Sequence, residues 1–126
     1  MRVDARDELS GTVIDAAVRV HRSLGPGLLE SVYEACLVHE LRKRQVPFAA
    51  GLKLPVHYDG VALEMFFRID LLVNDALVVE LKSVQALHPV HLSQVLTYLR
   101  LSGHRRALLI NFTDSRLVDG VQRVSL

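Results

Sequence analysis

The spacing of hydrophobic residues divides the chain into a helical first part and a β-rich middle. Between residues 9 and 24, apolar side chains recur at steps of three and four, which is the spacing of an amphipathic helix. Asp7 or Ser10 could cap the start of this helix. The sequence GPG at 25–27 interrupts the pattern, which resumes over residues 29–41. The pattern predicts two helices, or one broken helix.

From residue 52 the hydrophobic period shortens toward two, as is typical of strands. Turn residues at 59–60 and at 74–75 separate three apolar segments, so three consecutive antiparallel strands are expected. Pro89 suits the first turn of a further helix that ends near Gly103. The segment RALLINF at 106–112 predicts another buried strand, and GVQRVSL at 120–126 is a candidate for one more. This order predicts an α/β fold, with a mixed β-sheet flanked by helices.

Length and composition limit the domain organisation and the location of the protein. A chain of 126 residues has the size of one domain, 1–126, with a single core. The formal net charge of +1 weakens the case for a nucleic-acid partner without excluding it. The single cysteine, Cys36, cannot form an internal disulfide, and no leader or long apolar run is visible. We therefore expect a cytoplasmic protein that does not associate with membranes.

Two acids, Asp70 and Glu80, interrupt the apolar strands, although burying an unpaired carboxylate costs roughly several kcal/mol. In an antiparallel hairpin, the residue numbers of any two directly opposed residues add up to the same total, and the loop length sets that total. A three-residue loop at 74–76 would therefore place the two acids directly opposite each other, whereas a two-residue loop at 74–75 would place them on opposite faces. Lys82 shares the face of Glu80 by alternation. The loop length thus decides whether these three polar groups converge.

The chemistry of such a group favours a metal ion. Two close carboxylates repel each other unless a cation lies between them, and oxygen ligands suit Mg²⁺ or Mn²⁺. Lys82 could then neutralise or orient what the metal binds. His88 and His91 also share a helix face, but no third soft ligand accompanies them, so we interpret them as a solvated pair outside the site.

An acid at the end of one strand and the pattern E-x-K on the next resemble the PD-(D/E)XK nuclease superfamily. The segment GLLESVY at 27–33 also matches the pattern G-x-x-E-x-x-Y. With VELKSV, QVLTY and ALLINF following in that order, the chain resembles the small bacterial family named GxxExxY proteins. The resemblance covers about residues 25–112 and implies a restriction-endonuclease-like core with the order α-β-β-β-α-β.

The resemblance also implies roles for individual residues. The implied catalytic residues are Asp70, Glu80, Lys82 and Glu30, of which the three acids would bind Mg²⁺ (or Mn²⁺). Gln94 and Tyr98 match a Q-x-x-x-Y pattern implied to contact the substrate, and Tyr33 joins them as a substrate-binding candidate. Two positions depart from the family pattern, because Ile69 stands in place of the proline and Thr113 in place of a glycine.

The implied function is metal-dependent hydrolysis of phosphodiester bonds in nucleic acid, with DNA and RNA both open. A different interpretation is an inactive nucleic-acid-binding or protein-interaction module on the same scaffold, which the near-neutral charge favours. A third is a structural subunit that dimerises through apolar surface on the first helices. The small size also suggests a homodimer, or a protein partner that delivers the substrate. Metal binding would separate the first interpretation from the others.

Overall fold

The computed structural model describes residues 5–126, except for the side chains of residues 5–7. Residues 1–4 of the predicted domain 1–126, and the side chain of the proposed cap Asp7, lie outside this description. The elements in chain order are helices α1 (Ala5–Leu24) and α2 (Glu30–Lys43), strands β1 (Phe48–Tyr58), β2 (Val61–Val73) and β3 (Leu77–Lys82), helix α3 (Pro89–Ser102), strand β4 (Arg106–Asn111), a 3-10 turn (Leu117–Gly120) and strand β5 (Val121–Ser125). The first part of the chain therefore forms two separate helices.

The five strands form one mixed sheet in the order β1-β2-β3-β4-β5. Strands β3 and β4 are parallel, and the other neighbours are antiparallel. Helix α3 provides the crossover that a parallel pair requires. The predicted α/β architecture and its α-β-β-β-α-β order are confirmed, with β5 as an additional edge strand.

The sheet separates two hydrophobic layers. Helices α1 and α2 pack on one face, where Leu37 and Leu41 of α2 share a core cluster with Leu71 of β2 and Phe112, the residue after β4. Helix α3 covers the other face through a second cluster that contains Leu99. Each fully buried side chain of this size stabilises the fold by roughly 1.5–3 kcal/mol. Burial on both faces explains why the central strands are almost continuously apolar, so that an acid within them stands out.

Two boundaries differ from the sequence prediction. Helix α1 begins at Ala5, so Ser10 lies inside the helix as a buried residue and is not its cap. Strand β1 begins at Phe48, earlier than the predicted start at 52, because residues 48–50 pair with residues 71–73 of β2. No helix in the described part of the chain is long and apolar enough to cross a membrane.

The loop between β2 and β3 has three residues. The pairs Leu71↔Val79 and Val73↔Leu77 leave residues 74–76 as the connection. Asn74 and Asp75 both adopt left-handed backbone conformations, with φ of 53° and 50°. Asn and Asp tolerate this region better than most residues do, so their presence here suits the turn. Of the two loops considered, the structure has the one that places Asp70 opposite Glu80.

Candidate active site

The regular pairing of β2 with β3 ends where the two acids meet. The last regular pair on this side is Leu71↔Val79, and the next residues are Asp70 and Glu80. The N–H of Asp70 donates to Oε1 of Glu80 at 2.9 Å, and the N–H of Leu81 donates to Oδ2 of Asp70 at 2.9 Å. Carboxylate oxygens thus replace backbone carbonyls as acceptors between the strands. Both acids therefore sit in the gap where the strands separate.

Burial and mutual repulsion make the two acids hard to ionise together. Glu80 is only 3% exposed, and this burial, together with the charge of Asp70, raises its pKa to about 8. The pKa of Asp70 is also raised, mainly by burial, while the hydrogen bond from Leu81 opposes the shift. Lys82 lowers both pKa values without cancelling the increase. In neutral solution without a metal ion, the pair therefore retains a proton.

An arginine links Asp70 to helix α2. Nη1 of Arg68 donates to Oδ1 of Asp70 at 2.5 Å, and Nη2 donates to the two carboxylate oxygens of Glu34 at 2.9 and 3.1 Å. The hydrogen bond with Glu34 is the main cause that raises the pKa of Arg68. Gly51 lies opposite Asp70 on β1, and a Cβ added there would stand 3.3 Å from Nη2 of Arg68. The glycine therefore leaves room for the guanidinium.

Lys82 is held from the opposite side, by helix α3. Its Nζ donates to Oε1 of Gln94 at 3.3 Å, so two of the predicted site residues are in contact. Tyr98 is 5% exposed, and its ring centroid lies 5.7 Å from that of Phe67. Burial and the charges of Glu80 and Asp70 raise its pKa. Tyr98 thus lies beneath the acids as part of the core, rather than on the surface that a substrate would touch.

The start of α2 forms one wall of an open pocket of about 580 Å³ beside Asp70. Oε1 of Glu30 accepts a hydrogen bond from the N–H of Ser83 at 3.3 Å, and Oγ of Ser83 donates to the carbonyl of Leu28 at 2.5 Å. Glu30, Glu34, Arg68 and Asp70 all line this pocket. Glu34 was missed by the sequence analysis, although its position four residues after Glu30 indicates a shared helix face.

Tyr33, for which the sequence predicted a substrate contact, packs in the core. Its side chain is fully buried, and its ring stacks on Phe112 with centroids 4.3 Å apart. Its hydroxyl donates to the carbonyl of Gly25 at 2.6 Å and accepts from the N–H of Leu28 at 3.1 Å. The tyrosine of the G-x-x-E-x-x-Y pattern therefore fixes the loop before α2, and its contact with a substrate stays a prediction.

Asn111, also missed by the sequence analysis, fixes the chain just after Lys82. It is 1% exposed at the end of β4, beside Lys82 in the parallel register. Its Oδ1 accepts from the N–H of Val84 at 3.1 Å, and its Nδ2 donates to the Val84 carbonyl at 2.9 Å. A buried asparagine in an apolar strand is the sequence signal that could have identified it, because buried amides need partners.

His88 and His91 cap helix α3. Nδ1 of His91 accepts from the N–H of His88 at 2.9 Å, and Nδ1 of His88 accepts from the N–H of Val90 at 3.1 Å. Both rings satisfy backbone donors at the start of the helix, which a helix needs at this end. This capping role explains why the two histidines are three residues apart. It is consistent with our interpretation that neither belongs to the site.

The carboxylates of Asp70 and Glu80 suit an ion such as Mg²⁺ that takes its remaining ligands from elsewhere. Among the described side chains, no group of three or more His, Cys, Asp and Glu residues is placed to hold a metal. Asp70 and Glu80 offer hard carboxylate oxygens from two strands, whereas Glu30 contacts Ser83 instead of joining them. Mg²⁺ commonly takes one or two protein carboxylates, with water and substrate phosphate as its other ligands. The two interleaved acids match that pattern.

Comparison with known proteins identifies the family. The family model described as the PD-(D/E)XK nuclease superfamily matches residues 7–124, a span that includes both acids and Lys82. No curated protein and no solved structure matches the chain. The narrower likeness to GxxExxY proteins stays a resemblance based on the motifs. Because the match covers nearly the whole sequence, the chain belongs to the PD-(D/E)XK nuclease superfamily.

Proposed function

We propose that this protein is a metal-dependent nuclease that hydrolyses phosphodiester bonds of nucleic acid. The observation that carries the proposal is the pair of acids, Asp70 and Glu80, interleaved where β2 and β3 separate, with Lys82 two residues further on. Placing two carboxylates in this gap raises their pKa values and costs stability. A bound cation would offset that cost. Nucleases of this superfamily generally use divalent metal ions, which agrees with this arrangement.

The acids would hold Mg²⁺ or Mn²⁺, and Glu30 would contribute through a water molecule. When bound, the ion would lower the pKa of an attacking water and polarise the scissile phosphate. Because burial keeps Glu80 protonated in neutral solution, binding of the ion would release a proton from the pair. The hydrogen bonds between each acid and the opposite backbone fix the carboxylates before any ion arrives.

Lys82 would act on the substrate and not on the metal. A protonated amine has no lone pair and cannot be a ligand, but it can stabilise negative charge that develops on a phosphate oxygen or orient the attacking water. Gln94 positions the amine through its hydrogen bond at 3.3 Å. Tyr98, from the same helix, would support the acids from below. These residues complete the catalytic arrangement that we propose.

The finer assignments are also proposals. We propose that the chain is a single domain of the GxxExxY type that acts in the cytoplasm, on DNA or RNA. An enzyme of 126 residues presents a small surface to a nucleic acid. A homodimer, or a protein that delivers the substrate, would enlarge that surface.

One observation favours a second candidate, a binding module that does not cut. The Arg68 guanidinium lies 2.5 Å from Asp70 and forms an ion pair with that acid without a metal. A chain that relies on this ion pair would keep the scaffold and bind nucleic acid or protein while leaving phosphodiester bonds intact. The two candidates differ in whether a divalent ion can replace Arg68 at Asp70.

A cleavage assay distinguishes the two candidates. Labelled single-stranded, duplex and branched DNA and RNA are incubated with Mg²⁺ or Mn²⁺ and the wild type, Glu80→Gln or Glu8→Gln. The last variant is the control, because Glu8 is an exposed acid on α1. We expect the wild type and the control to cut at least one substrate. EDTA or Glu80→Gln should abolish cutting. Binding without cleavage by the wild type would favour the binding module instead.

A further inference from the structure

The hairpin of β1 and β2 continues beyond the acids and carries a mixed cationic and aromatic face. Lys53 pairs directly with Arg68, and Pro55 pairs with Phe66. Directly opposed residues share a face of a sheet, and residues two apart on a strand share it as well. Lys53, Arg68 and Phe66 therefore lie on one face of the sheet. This face extends away from Asp70 along the strands, and neighbouring side chains on it are about 6.8 Å apart.

These side chains are exposed to solvent. Phe66 is 60% exposed, and the Arg68 side chain is 53% exposed. Nζ of Lys53 lies 5.6 Å from the centroid of the Phe66 ring, so a cation and an aromatic ring form one surface unit. Strand β2 is exposed from Val61 to Phe66, so the ring belongs to neither core layer of the described structure. This face provides positive charge and a flat apolar surface next to the acids.

We propose that this face is a binding track for an unpaired nucleic-acid strand that enters the active site. The inference rests on the proposed function and adds the substrate class. Arg68 and Lys53 contact backbone phosphates, and Phe66 stacks on a base. If Asp70 held a metal ion, the guanidinium of Arg68 would lose one of its two acidic partners and would be free to contact a backbone phosphate.

The chemistry of the track favours a single strand over a duplex. Stacking on an exposed aromatic ring requires an unstacked base, and it is the usual means by which proteins hold single strands. Binding a duplex without sequence readout relies instead on many phosphate contacts. The chain has a formal net charge of only +1, and the track offers only two cations. A short unpaired segment matches this small amount of charge and the single exposed ring.

The test measures binding separately from cleavage. Fluorescence anisotropy with a labelled strand of about 12 nucleotides, as single-stranded DNA, single-stranded RNA or blunt duplex, is recorded in EDTA. The variants are Phe66→Ala, Phe66→Trp, Lys53→Gln and Met65→Ala. Met65 is the matched control, since it precedes Phe66, is 62% exposed, and lies in the segment 63–65, for which the pairing of β1 with β2 gives no partner. All these positions are exposed, and melting temperatures verify that each variant is folded.

We expect the wild type to bind a single strand at least tenfold more tightly than the blunt duplex. Phe66→Ala should weaken single-strand binding about tenfold, Phe66→Trp should restore it, and Met65→Ala should leave it unchanged. Lys53→Gln should lower the slope of log affinity against log salt by about 0.7. Tighter duplex binding, no binding, or full affinity in Phe66→Ala would overturn the track. Phe66-dependent binding in EDTA, combined with no hydrolysis in the Mg²⁺ or Mn²⁺ cleavage assay, would support the track while removing the nuclease proposal.

Discussion

At the residue scale, the three-residue loop between β2 and β3 brings Asp70 and Glu80 together, and this meeting follows from the loop length alone. The ion pair between Arg68 and Glu34 could not be predicted in this way, because it joins residues 34 positions apart whose contact depends on how α2 packs on the sheet. Burial of the Tyr33 side chain could not be predicted either. A motif gives the residue type and spacing, but it does not say which face of the helix is buried.

The raised pKa of Glu80 predicts how the stability of the metal-free protein depends on pH. A carboxyl with a pKa near 4.5 when unfolded and about 8 when folded binds more protons in the folded state between these values. Stability therefore falls as pH rises from about 5 to 8, by up to a few kcal/mol at about 1.4 kcal/mol per pKa unit. Denaturant unfolding in EDTA should show this decrease for the wild type and a much smaller one for Glu80→Gln. Parallel curves for the two proteins would contradict the shift.

At the scale of elements, hydrophobic periodicity predicted most of the architecture because both faces of the sheet are covered by helices. The turns at 59–60 and 74–75, and the start of α3 at Pro89, are confirmed by the structure. The connections around the site were not predictable from periodicity. Ser83 and Asn111 tie the end of β3 to the loop before α2 and to β4, through hydrogen bonds between distant segments. Such contacts leave no periodic signal.

Asn111 is predicted to hold the segment after Lys82 in place. Asn111→Ala removes the partners of both backbone groups of Val84, which are partly buried, and leaving them unsatisfied costs about 1 kcal/mol or more. We expect a lower melting temperature and faster hydrogen exchange at the Val84 amide. Gln122→Ala, an exposed change on β5, is the control and should alter neither. Unchanged exchange at Val84 in Asn111→Ala would show that this side chain does not fix the segment.

At the scale of the whole molecule, the fold and the family are consistent with each other. The family match over residues 7–124 spans all nine elements apart from the first residues of α1 and the last residue of β5. The pattern of buried apolar residues explains the hairpin of β1 and β2 beyond the acids least well, because the apolar residues between Val61 and Phe66 lie on the surface.

The central claim is that Asp70 and Glu80 together bind a divalent metal, and thermal melting in Mn²⁺ or Mg²⁺ tests it most directly. A metal that binds only the folded state at a hundredfold excess over its Kd adds about 2.7 kcal/mol, or roughly 10 °C in melting temperature for a domain of this size. The wild type and Lys82→Ala should both show this increase, because the lysine is not a ligand. Asp70→Asn and Glu80→Gln should lose it. A wild type that does not respond at millimolar metal, or a full increase in either acid variant, would contradict a metal site at these two carboxylates.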